Sequence, residues 1–150
     1  MTNNASDPDL PAQTLNWTLV NSPAGAAINI TNGLITWRPA ISQSPATNIL
    51  TVVVADNGTP GMSVTQSFTV TVLRPAEPQV LTSGLSNGSF NVIVSGDAGP
   101  DYTIETATNL LPAVLWTPVF TNLSASPPFL WSDITASNQP QRFYRVRLAP

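Results

Sequence analysis

The stretch TNILTVVVADNGTPGMSVTQSFTVTVL, residues 47–73, decides the fold class of this chain. Apolar and polar side chains alternate in its first ten residues, where Leu50, Val52 and Val54 fall on one face, and they alternate again in its last ten. The intervening DNGTPG, residues 56–61, consists of residues that favour turns. The stretch therefore predicts two β-strands joined as a hairpin.

The same alternation continues on both sides of this hairpin, and no segment shows the 3.6-residue period of a helix. It stops at LRPAEP, residues 73–78, because two prolines so close together do not fit a paired central strand. The sequence therefore predicts an all-β protein of two small sandwich domains, residues 1–74 and 78–150. Beyond the hairpin, shorter strands are predicted at residues 13–20, 27–31, 34–37, 89–95, 102–107, 115–121, 129–134 and 142–148.

The composition removes most catalytic chemistry. Cys, His and Lys are all absent, so the chain lacks thiol nucleophiles, His-based proton relays, Schiff-base lysines and the usual zinc ligands. Asp97, Asp101 and Glu105 form the one acidic cluster that glycoside chemistry could use. We expect Glu105 to point outward from a strand with no cleft around it. The sequence therefore predicts that the protein is not an enzyme.

Polar but uncharged residues dominate the sequence. Thr, Ser and Asn supply 45 of the 150 residues, only 9% of residues are charged, and the net charge is −3. The clustered basic residues that nucleic-acid binding needs are missing, and no apolar run approaches the roughly 20 residues of a membrane span. This composition is typical of secreted or surface β-proteins. We therefore predict an extracellular or cell-surface location, with the signal peptide not present in this chain.

The first predicted domain carries short motifs in a fixed order: ASDPD at residues 5–9, LNW at 15–17, PAGAAI at 23–28, NGLITWRP at 32–39, VADNGTP at 54–60 and FTVTV at 68–72. In this order they resemble the cadherin-like and immunoglobulin-like repeats of bacterial surface proteins, over residues 5–73. The resemblance implies an immunoglobulin-like β-sandwich. In that family two further strands precede the ASDPD segment, so the resemblance also implies a first domain that lacks its initial strands.

The second predicted domain carries GPDYTIETATNL at residues 99–110, Trp116, and RFYRV at residues 142–146. These features resemble a C-terminal module of large secreted proteins of planctomycete and verrucomicrobial type, and they are similar to a fibronectin type III sandwich over residues 78–150. The resemblance implies a second immunoglobulin-like sandwich in tandem with the first, without its final edge strand. It implies no enzymatic activity.

The resemblance of the first domain also implies a calcium site. Asp7 and Asp9 lie two residues apart and can aim two carboxylates at one point, and Asp56 matches the aspartate that joins them in the family. Calcium takes roughly six to eight oxygen ligands. Because the family builds its site between successive repeats, these residues would form a half-site that a neighbour completes. The alternative is that both segments are plain turns and that the protein has no cofactor.

Two groups of residues are candidates for binding a ligand or partner. Trp131 is predicted to be an exposed ring that could stack on a carbohydrate, whereas Trp17 and Trp37 are predicted to lie in the core. Arg145 and Arg147 share one face of the last strand. They either protect an edge strand from unwanted pairing or form a docking face for an acidic partner.

These expectations combine into a predicted function. The chain is expected to be a non-catalytic extracellular structural or adhesion protein, a self-assembling subunit of a surface filament or array joined by strand complementation or edge pairing. Its partners would be copies of itself or neighbouring domains of a larger chain. The alternative is a C-terminal pair of spacer modules, or of carbohydrate- or surface-binding modules, in a larger secreted protein.

Overall fold

The computed structural model describes residues 3–8, 11–123 and 125–149. Within them the chain is all-β, as predicted, and every pair of strands is antiparallel. The strands are β1 (Asn16–Asn21), β2 (Ala27–Ile28), β3 (Ile35–Thr36), β4 (Ala46–Ala55), β5 (Ser63–Val72), β6 (Gln79–Ser86), β7 (Ser89–Ser95), β8 (Tyr102–Ala107), β9 (Thr117–Asn122), β10 (Phe129–Asp133) and β11 (Phe143–Leu148). Short 3₁₀ turns cover Ile41–Gln43 and Ala136–Asn138.

The chain divides into two compact units, unit 1 (Met1–Leu73) and unit 2 (Arg74–Pro150). None of the helical segments in the part of the chain that the structure describes has the length and apolarity that a membrane span needs.

Unit 1 is built on a three-stranded sheet in the order β1-β4-β5, accompanied by the small β2-β3 hairpin. β4 and β5 form the predicted hairpin and pair without a register shift along ten residues each. Side chains from the sheet and from β3 meet in a core of Trp17, Ile35, Leu50 and Val52. The alternation in residues 47–73 therefore marks the face of the sheet that is turned to this core.

The tight turn before β3 brings the backbone of Gly33 into close contact with the ring of Trp17. Gly33 is buried and has a φ of +65°, and a Cβ at this position would lie 2.9 Å from the Trp17 ring. Glycine is required for both reasons, because other residues rarely adopt this φ and have no room for a side chain here. The Trp17 amide donates to the carbonyl of Ile30 at 2.9 Å, which holds the tryptophan beside the turn.

The prediction that Trp37 belongs to the core is wrong. The ring is half-buried and is not a member of the unit 1 core cluster, because β3 ends at Thr36 and the chain leaves the sheet. The indole Nε1 of Trp37 instead donates to the carbonyl of Ala24 at 3.2 Å. This hydrogen bond therefore holds the loop before β2 in position.

The strands of unit 2 form two three-stranded sheets, in the orders β10-β7-β6 and β11-β8-β9. One core receives side chains from both sheets: Val92 and Val94 come from β7, and Ile104 comes from β8. The sheets also meet through a stack between Phe90 of β7 and Tyr144 of β11, whose ring centroids are 4.2 Å apart. Unit 2 is therefore two sheets packed face to face, which is the arrangement of a β-sandwich.

A hydrogen bond from Tyr102 closes one end of unit 2. The Tyr102 side chain is fully buried, and its hydroxyl donates to the carbonyl of Asp97 at 2.8 Å. Burial, and then the negative charge of the nearby Asp97 carboxylate, raises the pKa of Tyr102. A tyrosine at the start of a strand that bonds to backbone a few residues upstream is typical of Greek-key sandwiches.

Asp133 links the two sheets of unit 2. It ends β10, and its Oδ2 accepts hydrogen bonds from the Tyr144 hydroxyl at 2.8 Å and from Arg142 Nη1. Its Oδ1 accepts from the Thr135 amide at 2.8 Å and from the Thr135 hydroxyl at 2.7 Å. Burial, together with the adjacent carboxylate, raises the pKa of Tyr144 to about 12.

The structure contains a strand that the sequence pattern did not predict. β6 (Gln79–Ser86) lies directly after the proline linker, and all eight of its residues are exposed. A strand with neither face buried has no reason to alternate apolar and polar residues, so period-2 analysis does not detect it. By contrast, the predicted bounds of β7 and β8 match the structure residue for residue.

Candidate functional site

A groove of about 650 Å³ lies along the inward face of the sheet in unit 1. Apolar side chains, including those of Trp17, Val54 and Phe68, line it, and residues 3–8 border it. Val64 also lines the groove, yet it is 67% exposed although it stands on the inward face of β5. The core of unit 1 is therefore left open on the side of β5.

β5 forms one edge of this sheet. It pairs with β4 on one side, and on its other side no strand or backbone hydrogen bond from the described residues meets it. Its sequence, SVTQSFTVTV, contains no charged residue and no proline. The outer backbone N–H and C=O groups of a ten-residue strand are therefore open to pairing.

The structure brings two of the three predicted calcium ligands to the same groove. Asp7 and Asp56 both line it, and Asp9 lies outside the described residues. Asp56 Oδ1 accepts from the amides of Gly58 at 2.8 Å and Met62 at 3.0 Å, and its Oδ2 accepts from Met62 at 3.0 Å. The Asp56 carboxylate thus organises the β4–β5 loop. Within residues 3–8, 11–123 and 125–149, no three acidic, His or Cys side chains gather as a metal site.

The structure places Arg145 and Arg147 on β11, an edge strand of its sheet, where both bind Glu105 of the central strand β8. Arg145 Nε lies 2.6 Å from Glu105 Oε2, and Arg147 Nε lies 2.9 Å from Glu105 Oε1. Burial acts to raise the pKa of Glu105, but the hydrogen bonds and charges of the two arginines outweigh it and lower the pKa. The cluster therefore carries two positive charges and one negative charge at neutral pH.

Trp116 completes this surface. It precedes β9, on the other side of β8 from β11, and the Arg145 guanidinium carbon lies 4.4 Å from the centroid of its ring. At that distance the ring attracts the cation through its negatively polarised face. The contact between Arg145 and Trp116 crosses over β8 and covers Glu105, so the Glu105 side chain is only 5% exposed. We call Trp116, Glu105, Arg145 and Arg147 the arginine face.

Two predictions about this part of the chain are corrected. Glu105 does point away from the Ile104 core, but it is buried rather than exposed, because the side chains of the arginine face cover it. Trp131 is half-buried against the core rather than an exposed ring, because its partner in the register is the buried Val92. Its ring centroid lies 6.0 Å from that of Tyr144.

The sequence indicates Glu105 only as part of an acidic cluster and Trp116 only as part of a family resemblance, so neither is predicted as a partner of the two arginines. One signal was available for Glu105, since residues 102–107 and 142–148 were both predicted as strands and opposite charges commonly pair across neighbouring strands. Which strands are neighbours depends on the topology, which the alternation pattern does not encode. Trp116 lies within the strand predicted at residues 115–121, whereas β9 begins at Thr117, and nothing in the sequence placed it beside Arg145.

Comparisons with protein-family models, with curated proteins and with solved structures return no match for this chain.

Proposed function

We propose that this chain is a non-catalytic extracellular structural or adhesion protein whose copies assemble into a filament or array at the cell surface. The contact is edge pairing, in which β6 of one copy adds to β5 of the next. The observation that carries the proposal is the long, unprotected edge of β5 beside an open core.

Three other edges of the described sheets carry features that discourage pairing. β11 carries Arg145 and Arg147, β9 has Pro118 and a register shift, and β10 has only five residues. Charges, prolines, bulges and short length are the devices by which β-proteins avoid edge-to-edge association. β5 has none of them, although it is ten residues long. An edge that is left unprotected in this way is suited to pairing.

The open groove gives the added strand an energetic benefit beyond backbone pairing. Val64 and Met62 line it, and both are 67% exposed. A strand placed beside β5 extends the sheet and brings side chains over these two residues. Complete burial of such a side chain stabilises by roughly 1.5–3 kcal/mol, so covering both contributes substantially to the contact.

The order of strands in unit 1 supports the same proposal. In immunoglobulin-like sandwiches the third, sixth and seventh strands form one sheet with the sixth in the centre. The β1-β4-β5 sheet has this arrangement, and the β2-β3 hairpin stands where the fourth and fifth strands would. The described residues of unit 1 hold no counterpart of the first two strands. In such a sandwich those two strands belong to the facing sheet, so their absence from the described residues accounts for the groove along the inward face of the β1-β4-β5 sheet.

A second edge on the same chain favours another copy as the partner. β6 is also an outer strand, contains no charge and no proline, and exposes every residue, including Leu81 and Leu85, although its pairing with β7 has a register shift between Val80 and Thr82. A contact between two different edges of the same molecule is heterologous, so it repeats from head to tail and produces an open polymer unless the rotation closes it into a ring. This geometry corresponds to a filament or array.

Blocking each edge separately tests the proposal. Thr69→Lys places a charge on the exposed outer face of β5, and Thr82→Lys does the same on β6. By sedimentation velocity and electron microscopy, we expect the wild-type chain to form concentration-dependent polymers and each variant alone to remain monomeric. An equimolar mixture is expected to give dimers and nothing larger, because one variant retains a free β6 and the other retains a free β5.

Thr18→Lys is the matched control. It adds the same charge to an exposed position on β1, the opposite edge of the same sheet, and should leave polymerisation intact. A wild-type chain that stays monomeric at millimolar concentration would refute the proposal. Polymers that survive both edge variants would show that the contact lies elsewhere.

A second candidate function is a C-terminal pair of spacer modules, or of carbohydrate- or surface-binding modules, in a larger secreted protein. The arginine face of unit 2 favours a binding role, because it presents cationic and aromatic groups on one surface. If a preceding domain supplies the strand that β5 lacks, the chain alone still polymerises through its free edges, whereas a longer chain that includes that domain stays monomeric. Comparing the chain with the longer chain by sedimentation velocity therefore separates the two functions.

A further inference from the structure

We propose that the arginine face binds acidic sugar residues of an anionic polysaccharide, with Arg145 and Arg147 holding a carboxylate or sulfate group and Trp116 contacting the sugar ring. The site lies in unit 2 and does not depend on strand pairing through β5.

The hydrogen-bonding pattern leaves donors available on this face. Each arginine uses its Nε to bind Glu105, and its terminal Nη groups make no hydrogen bond to the described residues. The side chains of Arg145 and Arg147 are nearly half exposed, whereas Glu105 beneath them is buried. The outer donor groups of both guanidinium ions are therefore presented to solvent in the planar arrangement that binds carboxylates and sulfates in pairs of bonds.

The charge of this face is opposite to that of the whole chain. Two arginines against one glutamate leave a net charge of +1, while the chain has a net charge of −3. Arg142 is paired with Asp133, and Arg74 lies 3.8 Å from Glu77, so neither adds an uncompensated charge of its own. An anionic ligand is therefore attracted to the arginine face, which has a net positive charge, more strongly than to the Arg142–Asp133 or Arg74–Glu77 pair, because each of those pairs is neutral overall.

Glu105 also makes the site rigid. A long arginine side chain normally loses conformational freedom when it binds a ligand, and this loss weakens binding. Here the buried carboxylate fixes both guanidinium groups in advance, and the Trp116 ring fixes Arg145 a second time. The two arginines are two residues apart on one strand, which separates their Cα atoms by roughly 7 Å. Two adjacent fixed cations favour a ligand that presents repeated negative charges.

The surroundings of the arginines favour a saccharide over a peptide or a nucleic acid. Binding of a protein partner normally depends on apolar anchors that enter pockets, and the described pockets do not include any residue of the arginine face. Two arginines are too few to follow a nucleic-acid backbone. One face of the half-buried Trp116 ring takes Arg145, so the C–H groups of a sugar would contact the remaining exposed surface of the ring. The exposed Thr121, paired with the buried Thr103, adds a hydroxyl group nearby.

The test is binding of the full-length chain to heparin, which is sulfated, and to polygalacturonate, which is carboxylated, with dextran as the neutral control. Isothermal titration at low and moderate salt should show binding to at least one anionic polymer, none to dextran, and weakening as salt rises. Arg147→Gln should weaken binding by about tenfold, as should Trp116→Ala. Comparing the two anionic polymers identifies which acid group the site prefers.

Arg74→Gln is the matched control, because it removes the same charge from an exposed arginine outside the site and should leave affinity unchanged. Amide spectra of unit 2 must show that Arg147→Gln remains folded, and Arg145→Lys provides a second variant that retains the charge but lacks the planar pair of donors. Equal losses with Arg74→Gln, absence of binding to both anionic polymers, or equally tight binding to polyglutamate would overturn the proposal. Thr69→Lys should bind like the wild type, so failure of the filament proposal does not affect this result.

Discussion

Asp133→Asn should remove a large part of the stability that unit 2 gains at neutral pH. The Asp133 carboxylate is buried and accepts hydrogen bonds from Thr135, Tyr144 and Arg142. Because Asp133 lies on β10 and Tyr144 on β11, these bonds connect the two sheets of the sandwich. An asparagine retains the shape but has no charge, and its amide nitrogen faces donors at a position where the carboxylate accepts.

The size of the effect follows from the pKa of Asp133. Burial acts to raise this pKa, but the hydrogen bonds from Thr135, Tyr144 and Arg142 outweigh it and lower the pKa from 3.8 to about 2. Each pKa unit corresponds to roughly 1.4 kcal/mol, so ionised Asp133 contributes on the order of 2 kcal/mol to folding at neutral pH. Since the folded pKa is depressed, this contribution is present above about pH 4 and disappears as the pH falls to about 2.

The measurement is urea unfolding at several pH values between 2 and 7, followed through NMR cross-peaks of β10 and β11. These signals report unit 2 even if unit 1 unfolds separately. At pH 7 we expect Asp133→Asn to lower the free energy of unfolding by about 2–3 kcal/mol, since each lost bond to a charged group costs roughly 1.5–3 kcal/mol and the amide replaces part of it. Near pH 2 the variant and the wild type should converge.

The control is Asp97→Asn, another acid-to-amide change in unit 2 at an exposed side chain. Asp97 Oδ2 accepts from the Ala76 amide at 2.7 Å, a bond that the asparagine oxygen can keep, so this change should alter stability by no more than roughly 0.5 kcal/mol. Subtracting the variant from the wild type also cancels the titration of Glu105, which both proteins share. If the difference in stability between wild type and Asp133→Asn is the same at pH 7 and at pH 2, the ionised carboxylate does not stabilise the sandwich in the way described.

Two further predictions concern unit 1. Gly33→Ala should destabilise it by about 3 kcal/mol, because alanine costs roughly 1–2 kcal/mol at this φ and its Cβ collides with the Trp17 ring. The control is Gly88→Ala in unit 2, at a φ of +77° with no atom within 4 Å of the added Cβ; in unfolding experiments on that unit it should show only the backbone cost. Calcium added to the chain alone should bind no more tightly than the millimolar range, because Asp56 already accepts backbone amides through both carboxylate oxygens. If calorimetry showed micromolar binding that Asp7→Asn abolished, this prediction of weak binding would be contradicted.

Local alternation was sufficient to predict the elements whose two faces differ in burial. In β4 the buried Leu50 and Val52 alternate with partly exposed neighbours, and the pattern in the sequence is the pattern in the structure. β6 carries no such alternation, because none of its residues is buried and the strand depends on its backbone pairing with β7. Periodicity reports differential burial, so a strand that is exposed on both faces gives no signal.

The candidate sites were harder to predict because they depend on contacts between distant strands. Arg145 and Arg147 could be chosen from the last strand alone, but their partner Glu105 lies 40 and 42 residues earlier in the chain. The position of Trp131 just after Pro127, Pro128 and Phe129 predicts an exposed ring. The register with β7 instead turns its ring toward the core.

The exposed strand β6 has a consequence for how unit 2 opens. Its eight residues bury no side chain in the core, so detaching the strand costs little more than its backbone bonds to β7 and leaves the shared core of the two sheets in place. Detachment would release about 27 Å of extended chain, at roughly 3.3–3.4 Å per residue, directly after the proline linker. β6 can therefore detach from unit 2 on its own, and the chain can lengthen at this point while the sandwich stays folded.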